Sequence, residues 1–214
     1  AYDPEELIAY EFGYKMQSED GRVQLNGSFY LYDYEWVHTV ATEVTPPLLE
    51  GDAFGTTTSV LPAPGAEILG AEAELTWLAT DRLTLGGNFS FTPSEYTEDM
   101  WIMDTGGHET PKSLFPTDAT AVLKNIKGNQ LLQVPELKYT AWASYMWPNS
   151  DGSSLVLFAV YNWIDEVYYS PFESEREKAP EYDRLDIRAT WTSAGSNWKI
   201  SAFVNNVFDD VGIL

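Results

Sequence analysis

The side chains able to do chemistry in this 214-residue chain are few. Its two histidines, His38 and His108, stand in long irregular stretches, the second close to Asp104 and Glu109. An imidazole beside carboxylates can touch a metal complex, yet a loop histidine is most often just solvated. Glu72 and Glu74 would share one face of a strand; such a pair can serve acid–base work, but the favoured reading is a wet wall. No Ser–His–Asp grouping has a defensible geometry. The two glycines of "DTGGHETP" lack the strand-to-helix context that a phosphate cradle requires. The chain has no cysteine, which excludes disulfides and thiolate metal sites. Aromatic and methionine side chains in the irregular stretches are more telling. Trp36 precedes His38, "MWIMDTGGH" carries Trp101, Met103 and His108, and "DEVYYSPFESE" carries Tyr168 and Tyr169. On loops these make adaptable apolar contacts for a ligand. The expected site is therefore a binding surface built from Trp36, His38, Trp101, Met103, His108, Tyr168 and Tyr169. No enzyme activity, metal or cofactor is expected. The plain alternative is that Tyr168 and Tyr169, with Trp163, belong to an aromatic belt.

The elements that must position these residues are strands. "LTLGGNFSFT", Leu83 to Thr92, sets Leu83, Leu85, Gly87, Phe89 and Phe91 against Thr84, Gly86, Asn88, Ser90 and Thr92. A period of two marks a strand between unlike environments. Seven more stretches read the same way, giving hairpins over about 6–37, 65–96, 137–167 and 182–208. The strand from about Ser154 is apolar on both faces in "LVLFAVY", so its phase is poorly defined. Short turns such as "SEDGR" and "PNSDGS" join the two strands of each hairpin. Long connections over about 38–64, 97–136 and 168–181 separate the hairpins. In an up-and-down meander every short turn then falls at one end and every long loop at the other. That segregation is a feature of outer-membrane barrels.

Other signals agree. Most strands reach the roughly 9–11 residues that a tilted membrane crossing needs, above the 5–6 usual in soluble domains. Glu11, Lys15, Glu72, Glu74, Asp186, Arg188 and Lys199 all fall on the polar face, as expected if a cation aimed at lipid costs about 2–4 kcal/mol near mid-depth. Trp77, Trp147, Trp191 and Trp198 flank the short turns, where an indole keeps its ring in apolar surroundings and its N–H in water. The balance of 12 Lys+Arg against 33 Asp+Glu, net −21, argues against nucleic acid as a partner. No apolar run is long enough for a spanning helix. The opening "AYDPEELIAY" does not read as a signal peptide, so the sequence is expected to be cytoplasmic, or a mature or excised piece.

"YDPEELIAYEFGYKMQSEDGRVQLNGSFYLYDY" resembles a hairpin from the second half of TonB-dependent outer-membrane receptor barrels. Pro4-Glu5, Tyr10-Glu11-Phe12-Gly13 and Tyr30-Leu31-Tyr32-Asp33-Tyr34 carry the likeness. "GAEILGAEAELTWLATDRLTLGGNFSFT" and "VPELKYTAWASYMW" are similar to the next two hairpins. "NNVFDD", Asn205 to Asp210, resembles the family's Asn-Leu-Phe-Asp, with Val207 for Leu. The resemblance spans essentially the whole of 1–214. It implies an all-β, antiparallel up-and-down transmembrane barrel, of which these are about eight strands out of 22. It further implies a location in the outer membrane of a Gram-negative bacterium, with lipid outside the wall and water within. The function implied is active uptake of a scarce small-molecule ligand, by default an iron–siderophore complex, driven through TonB acting on an N-terminal part not seen here. The plug and the final strand are also not seen. Two rival expectations are a complete eight-stranded barrel with a structural or adhesive role, and a soluble aromatic-rich carbohydrate-binding sandwich.

Overall fold

A computed structural model describes residues 4–45, 55–104 and 123–212. The strands are β1 (Glu6–Gln17), β2 (Val23–Thr45), β3 (Gly55–Leu78), β4 (Leu83–Phe91), β5 (Ser94–Tyr96), β6 (Trp101–Met103), β7 (Leu123–Asn125), β8 (Leu137–Pro148), β9 (Ser154–Ile164), β10 (Val167–Tyr168), β11 (Lys178–Ala179), β12 (Tyr182–Thr192) and β13 (Lys199–Val204). The long ones form a single antiparallel sheet in which β1 pairs β2 and the order continues β3, β4, β8, β9, β12, β13. Sequential strands are spatial neighbours throughout, as the meander predicts.

Register shows which residues share a face. Phe12 stands opposite Phe29, Phe29 opposite Ala71, and Ala71 opposite Phe91. The row continues through Leu85–Ala143, Ala143–Ala159, Ala159–Ile187 and Ile187–Val204. The interleaved row runs Glu11–Tyr30, Lys15–Asn26, Asn26–Glu74, Glu74–Asn88 and Asn88–Thr140. It ends with Thr140–Asn162, Asn162–Arg184 and Thr190–Ser201. One face is therefore apolar across eight strands and the other polar. On β9 the ambiguity resolves: Leu155, Leu157 and Ala159 join the apolar row, leaving Val156, Phe158 and Val160 on the polar side.

The apolar face is not covered. Phe12 is 67% exposed, Leu69 55% and Phe89 42%. Among the described residues no second layer packs on it, so the sandwich expectation fails; Leu85, Phe89 and Ile187 do not meet in a dry centre. The sheet also does not close, since β1 bonds only β2 and β13 only β12 among the described residues, which removes the closed eight-stranded barrel. Lys and Arg avoid the apolar rows altogether. Lys15, Lys138, Arg184, Arg188 and Lys199 all lie in the polar rows, and Arg22 and Arg82 lie in the short turns. Below Trp36, carboxylates enter the apolar rows only toward the long-loop end: Glu6 opposite Glu35, Asp33 and Glu95 on either side of Glu67, and Asp183. From Leu69 to Trp77 the apolar stretch of β3 covers about 27 Å along the strand at about 3.4 Å per residue, or about 21 Å at a tilt near 40°, close to the ~25 Å apolar band of a membrane barrel.

The expected loop 38–64 is largely strand. β2 and β3 continue their ladder from Val37–Ala63 to Thr45–Gly55. The β-branched content of "VHTVATEVT" and "TTTSV" suits an extended backbone. Pro62 and Pro64 lie on β3 beyond the Ala66–Ile68 stretch that β5 pairs, where a proline need not donate to that ladder. The stretches 97–136 and 168–181 likewise hold structure rather than plain loop: β6 and β7 in one, β11 and a 3₁₀ turn over Glu175–Glu177 in the other.

Candidate functional site

The wall has two parts that can serve a ligand: its polar face, and a folded cap at the long-loop end. The polar face of β1–β4 and the start of β8 forms a trough of about 710 Å³ lined by Glu11, Lys15, Asn26, Glu72, Glu74 and Lys138. Asn26 Nδ2 donates to Glu74 at 3.5 Å, and Ser90 Oγ donates to Glu72 at 3.4 Å. Glu72 and Glu74 are thus tied into a hydrogen-bonded wall, as expected of side chains facing water. Above the trough Tyr30 and Tyr32 stack at 4.7 Å.

The cap begins with a change of side on the β2–β3 ribbon. Trp36 has φ 59°, a left-handed value unusual for a bulky residue, and the ladder omits Trp36 and Pro64, passing from Glu35–Gly65 to Val37–Ala63 in unchanged register. Below this point Tyr34 and Ala66 face the polar side. Above it Val37 and Ala63 face that same side, although they follow by an odd number of residues. Thr39, 2% exposed, receives a hydrogen bond there from the Tyr96 hydroxyl at 3.1 Å.

Against this surface lies the driest part of the described molecule: Ala63, Ala66, Tyr96, Ile102, Ile126 and Leu131. Burial raises the pKa of the Tyr96 phenol. β5 lies beside β3 and β6 beside β2, so the chain between them crosses the ribbon. Asn125 Oδ1 accepts from the amides of Met100 and Lys127, and its Nδ2 donates to Asp99 at 2.8 Å.

The expected ligand-contacting residues divide between two places. Trp36 and His38 stand on the ribbon, and Trp101 and Met103 on its neighbour β6, where Met103 stands opposite Thr42 further along the same strand. His38 lies on the face opposite Thr39, its amide donating to Glu5 at 2.8 Å and its Nδ1 3.6 Å from the same carboxylate. Trp101 is 63% exposed, facing away from buried Ile102. Tyr168 and Tyr169 sit on the second connection. The Tyr168 hydroxyl donates to Glu166 at 3.0 Å, and Lys178 bridges Glu166 and Glu175 at 3.0 and 3.1 Å. Hydrogen bonding to Lys178 and Tyr168 holds Glu166 below the usual carboxylate range, while burial and then Glu166 push Tyr168 up. Contact with both carboxylates raises Lys178 above its ordinary value. His108 and Glu109 lie outside the described residues. Asp104 is buried and paired with Lys124 at 2.7 Å, and no group of metal ligands gathers among the described residues.

Sequence reasoning missed Thr39, Asn129 and Phe172, which hold the cap together. Nothing in their surroundings marks them, because their partners lie tens of residues away.

The family model of TonB dependent receptor-like β-barrels matches residues 1–207. No curated protein sequence matches. Among solved structures the chain is similar to the siderophore receptor PiuA of Acinetobacter baumannii, with 20% identity and a TM-score of 0.65 over 97% of this chain and 25% of that one. It is also similar to the ferric yersiniabactin uptake receptor FyuA of Yersinia pestis, at 18% and 0.64 over 96% and 25%. The copper transporter OprC aligns at 13% and 0.60 over 98% and 26%. The chain thus spans about a quarter of the length of these structures.

Proposed function

Because the chain belongs to the TonB-dependent receptor-like β-barrel family, we propose that it builds one arc of the wall of an active transporter in the outer membrane of a Gram-negative bacterium. The observation carrying this reading is the division of faces: apolar rows free of Lys and Arg across eight strands, backed by a polar, partly charged wall. A soluble protein gains nothing from a broad uncovered apolar face, whereas a lipid-facing wall needs one. The polar face then lines the aqueous interior, and the cap stands outside the cell. The transporter does no covalent chemistry. It captures a scarce small molecule at its outer end and passes it inward, with TonB supplying energy through a part of the protein beyond these residues. An iron–siderophore complex is the favoured cargo, supported by the naming of PiuA and FyuA as siderophore and ferric yersiniabactin receptors. Trp36, Trp101, Met103, Tyr168 and Tyr169, with His38 and His108, are the ligand-contacting residues proposed on this arc.

The test is uptake in cells. Deleting the whole gene should abolish accumulation of at least one radio-iron siderophore complex in iron-starved cells, and the intact gene should restore it. A protonophore should block the restored uptake. Uptake of every tested complex unchanged by the deletion would remove the siderophore assignment. Recovery of the intact protein in the soluble fraction would remove the transporter reading altogether.

A further inference from the structure

The two long connections are joined to each other by hydrogen bonds and by side-chain packing. Segment 165–181 is tied internally by the β10–β11 pair, by Tyr169 N donating to Glu177 O at 2.7 Å, and by the Lys178 bridges. Segment 123–134 is tied to the ribbon side: Ile126 N donates to Met100 O, Gly128 N to Tyr96 O, and Tyr96 N to Asn129 O. Three further bonds link the two segments. Asn129 Nδ2 donates to Pro171 O at 2.7 Å, Gln130 N to the Glu173 carboxylate at 2.7 Å, and Gln133 N to Tyr168 O at 3.0 Å. Phe172 packs from the second segment onto the buried cluster of Ala63, Ala66, Tyr96 and Ile126. Glu173, beside it, has φ 51°, the backbone bend that brings Phe172 and its own carboxylate onto the first segment.

We propose that segments 96–104, 123–134 and 165–179 form one body that opens and shifts as a unit on the β2–β3 ribbon, with Phe172 as its key. Exposed Tyr169 and Trp101 stand on different connections but on this same body. A ligand that orders one connection therefore orders the other, through packed side chains and paired backbone groups that must break together. The inference goes beyond the transport reading, since coupling of the connections follows from contacts within this chain.

Hydrogen exchange read by mass spectrometry on the whole receptor in detergent micelles tests it, without ligand, so its failure and failure of the transport reading are separable. Phe172→Ala should raise exchange by at least about tenfold in peptides covering 96–104 and 123–134 as well as 168–179. Phe172→Leu should return both most of the way. A rise confined to 168–179 would show two independent connections and overturn the proposal. If Phe172→Ala does not reach the membrane, Asn129→Ala, which removes a single side chain–carbonyl bond, decides by the same comparison: faster exchange on both segments supports the single body, and faster exchange on one alone refutes it.

Discussion

Gly87 offers a sharp test of the wall's geometry. It sits at the centre of β4, between Leu75 of β3 and Ala141 of β8. A methyl group added there would run into the Thr140 carbonyl oxygen and lie 3.4 Å from Ala141 Cα. Both are backbone atoms of the neighbouring strand, so relief requires β4 and β8 to part. Overpacking of this kind costs about 1–3 kcal/mol, and with backbone as the obstacle about 2–3 kcal/mol is expected. That corresponds to a shift of about 30- to 150-fold in the folded-to-unfolded ratio. Gly13 is the matched control: the same substitution in β1 meets only the Gly27 carbonyl oxygen at 3.7 Å, an ordinary contact. Without a clash, replacing a strand glycine removes backbone freedom from the unfolded chain, so Gly13→Ala should be neutral or stabilising by about 0.5 kcal/mol. The whole receptor, refolded into lipid vesicles and titrated with urea, should show a lower midpoint for Gly87→Ala only, with heat-modifiable migration on gels as a second readout. Equal midpoints for the two variants would refute the register of β4 on β8.

Three further outcomes follow from other parts of the molecule. Ala73→Lys places a cation on the apolar face near mid-depth and should cost about 2–4 kcal/mol in the same urea titration, while Glu74→Lys, one residue along and facing water, should cost less than about 1 kcal/mol; equal costs would deny that the faces differ. Trp36→Val forces a β-branched residue into a left-handed backbone and should destabilise the upper ribbon by about 1–3 kcal/mol, whereas Trp36→Gly relieves the strain, as amide exchange over 37–45 would report. Glu166, held low by Lys178, stabilises the second connection above the ordinary carboxylate pKa and loses that contribution as pH falls through its depressed value. Lys178, held high, contributes below its ordinary pKa and loses that as pH rises through the raised one. Local exchange protection of 166–179 should therefore be flat around neutrality and fall at both extremes, and Lys178→Met should abolish the dependence.

The transmembrane strands were legible because their physics is local and repetitive. Alternation such as that from Leu83 to Phe91 needs only neighbouring residues to be seen, and short turns at one end with long connections at the other imply a meander. β9 was ambiguous because Val156, Phe158 and Val160 put apolar groups on the polar face too, and its phase emerged only from pairing with Arg188 and Thr190. The upper ribbon looks like loop in the sequence because the side change at Trp36 rests on one left-handed φ angle that a tryptophan does not advertise. The cap was illegible for another reason. Thr39 meets Tyr96, Asn129 meets Pro171, and Phe172 packs on the buried cluster; each union depends on tertiary placement that no short window of sequence contains.

The reversal at Trp36 means that counting by twos runs unbroken along β2 while its meaning inverts. Phe29 and Leu31 belong to the uncovered apolar face, proposed above to meet hydrocarbon; Val37 and Thr39, equally odd in number, look toward the molecule's own dry interior. A lysine placed at 31 or at 39 would be starved of water in either case, by acyl chains in the first and by Tyr96 and its neighbours in the second. One pair of strands thus serves two solvents, and the sign of a polar substitution depends on which side of a single tryptophan it falls.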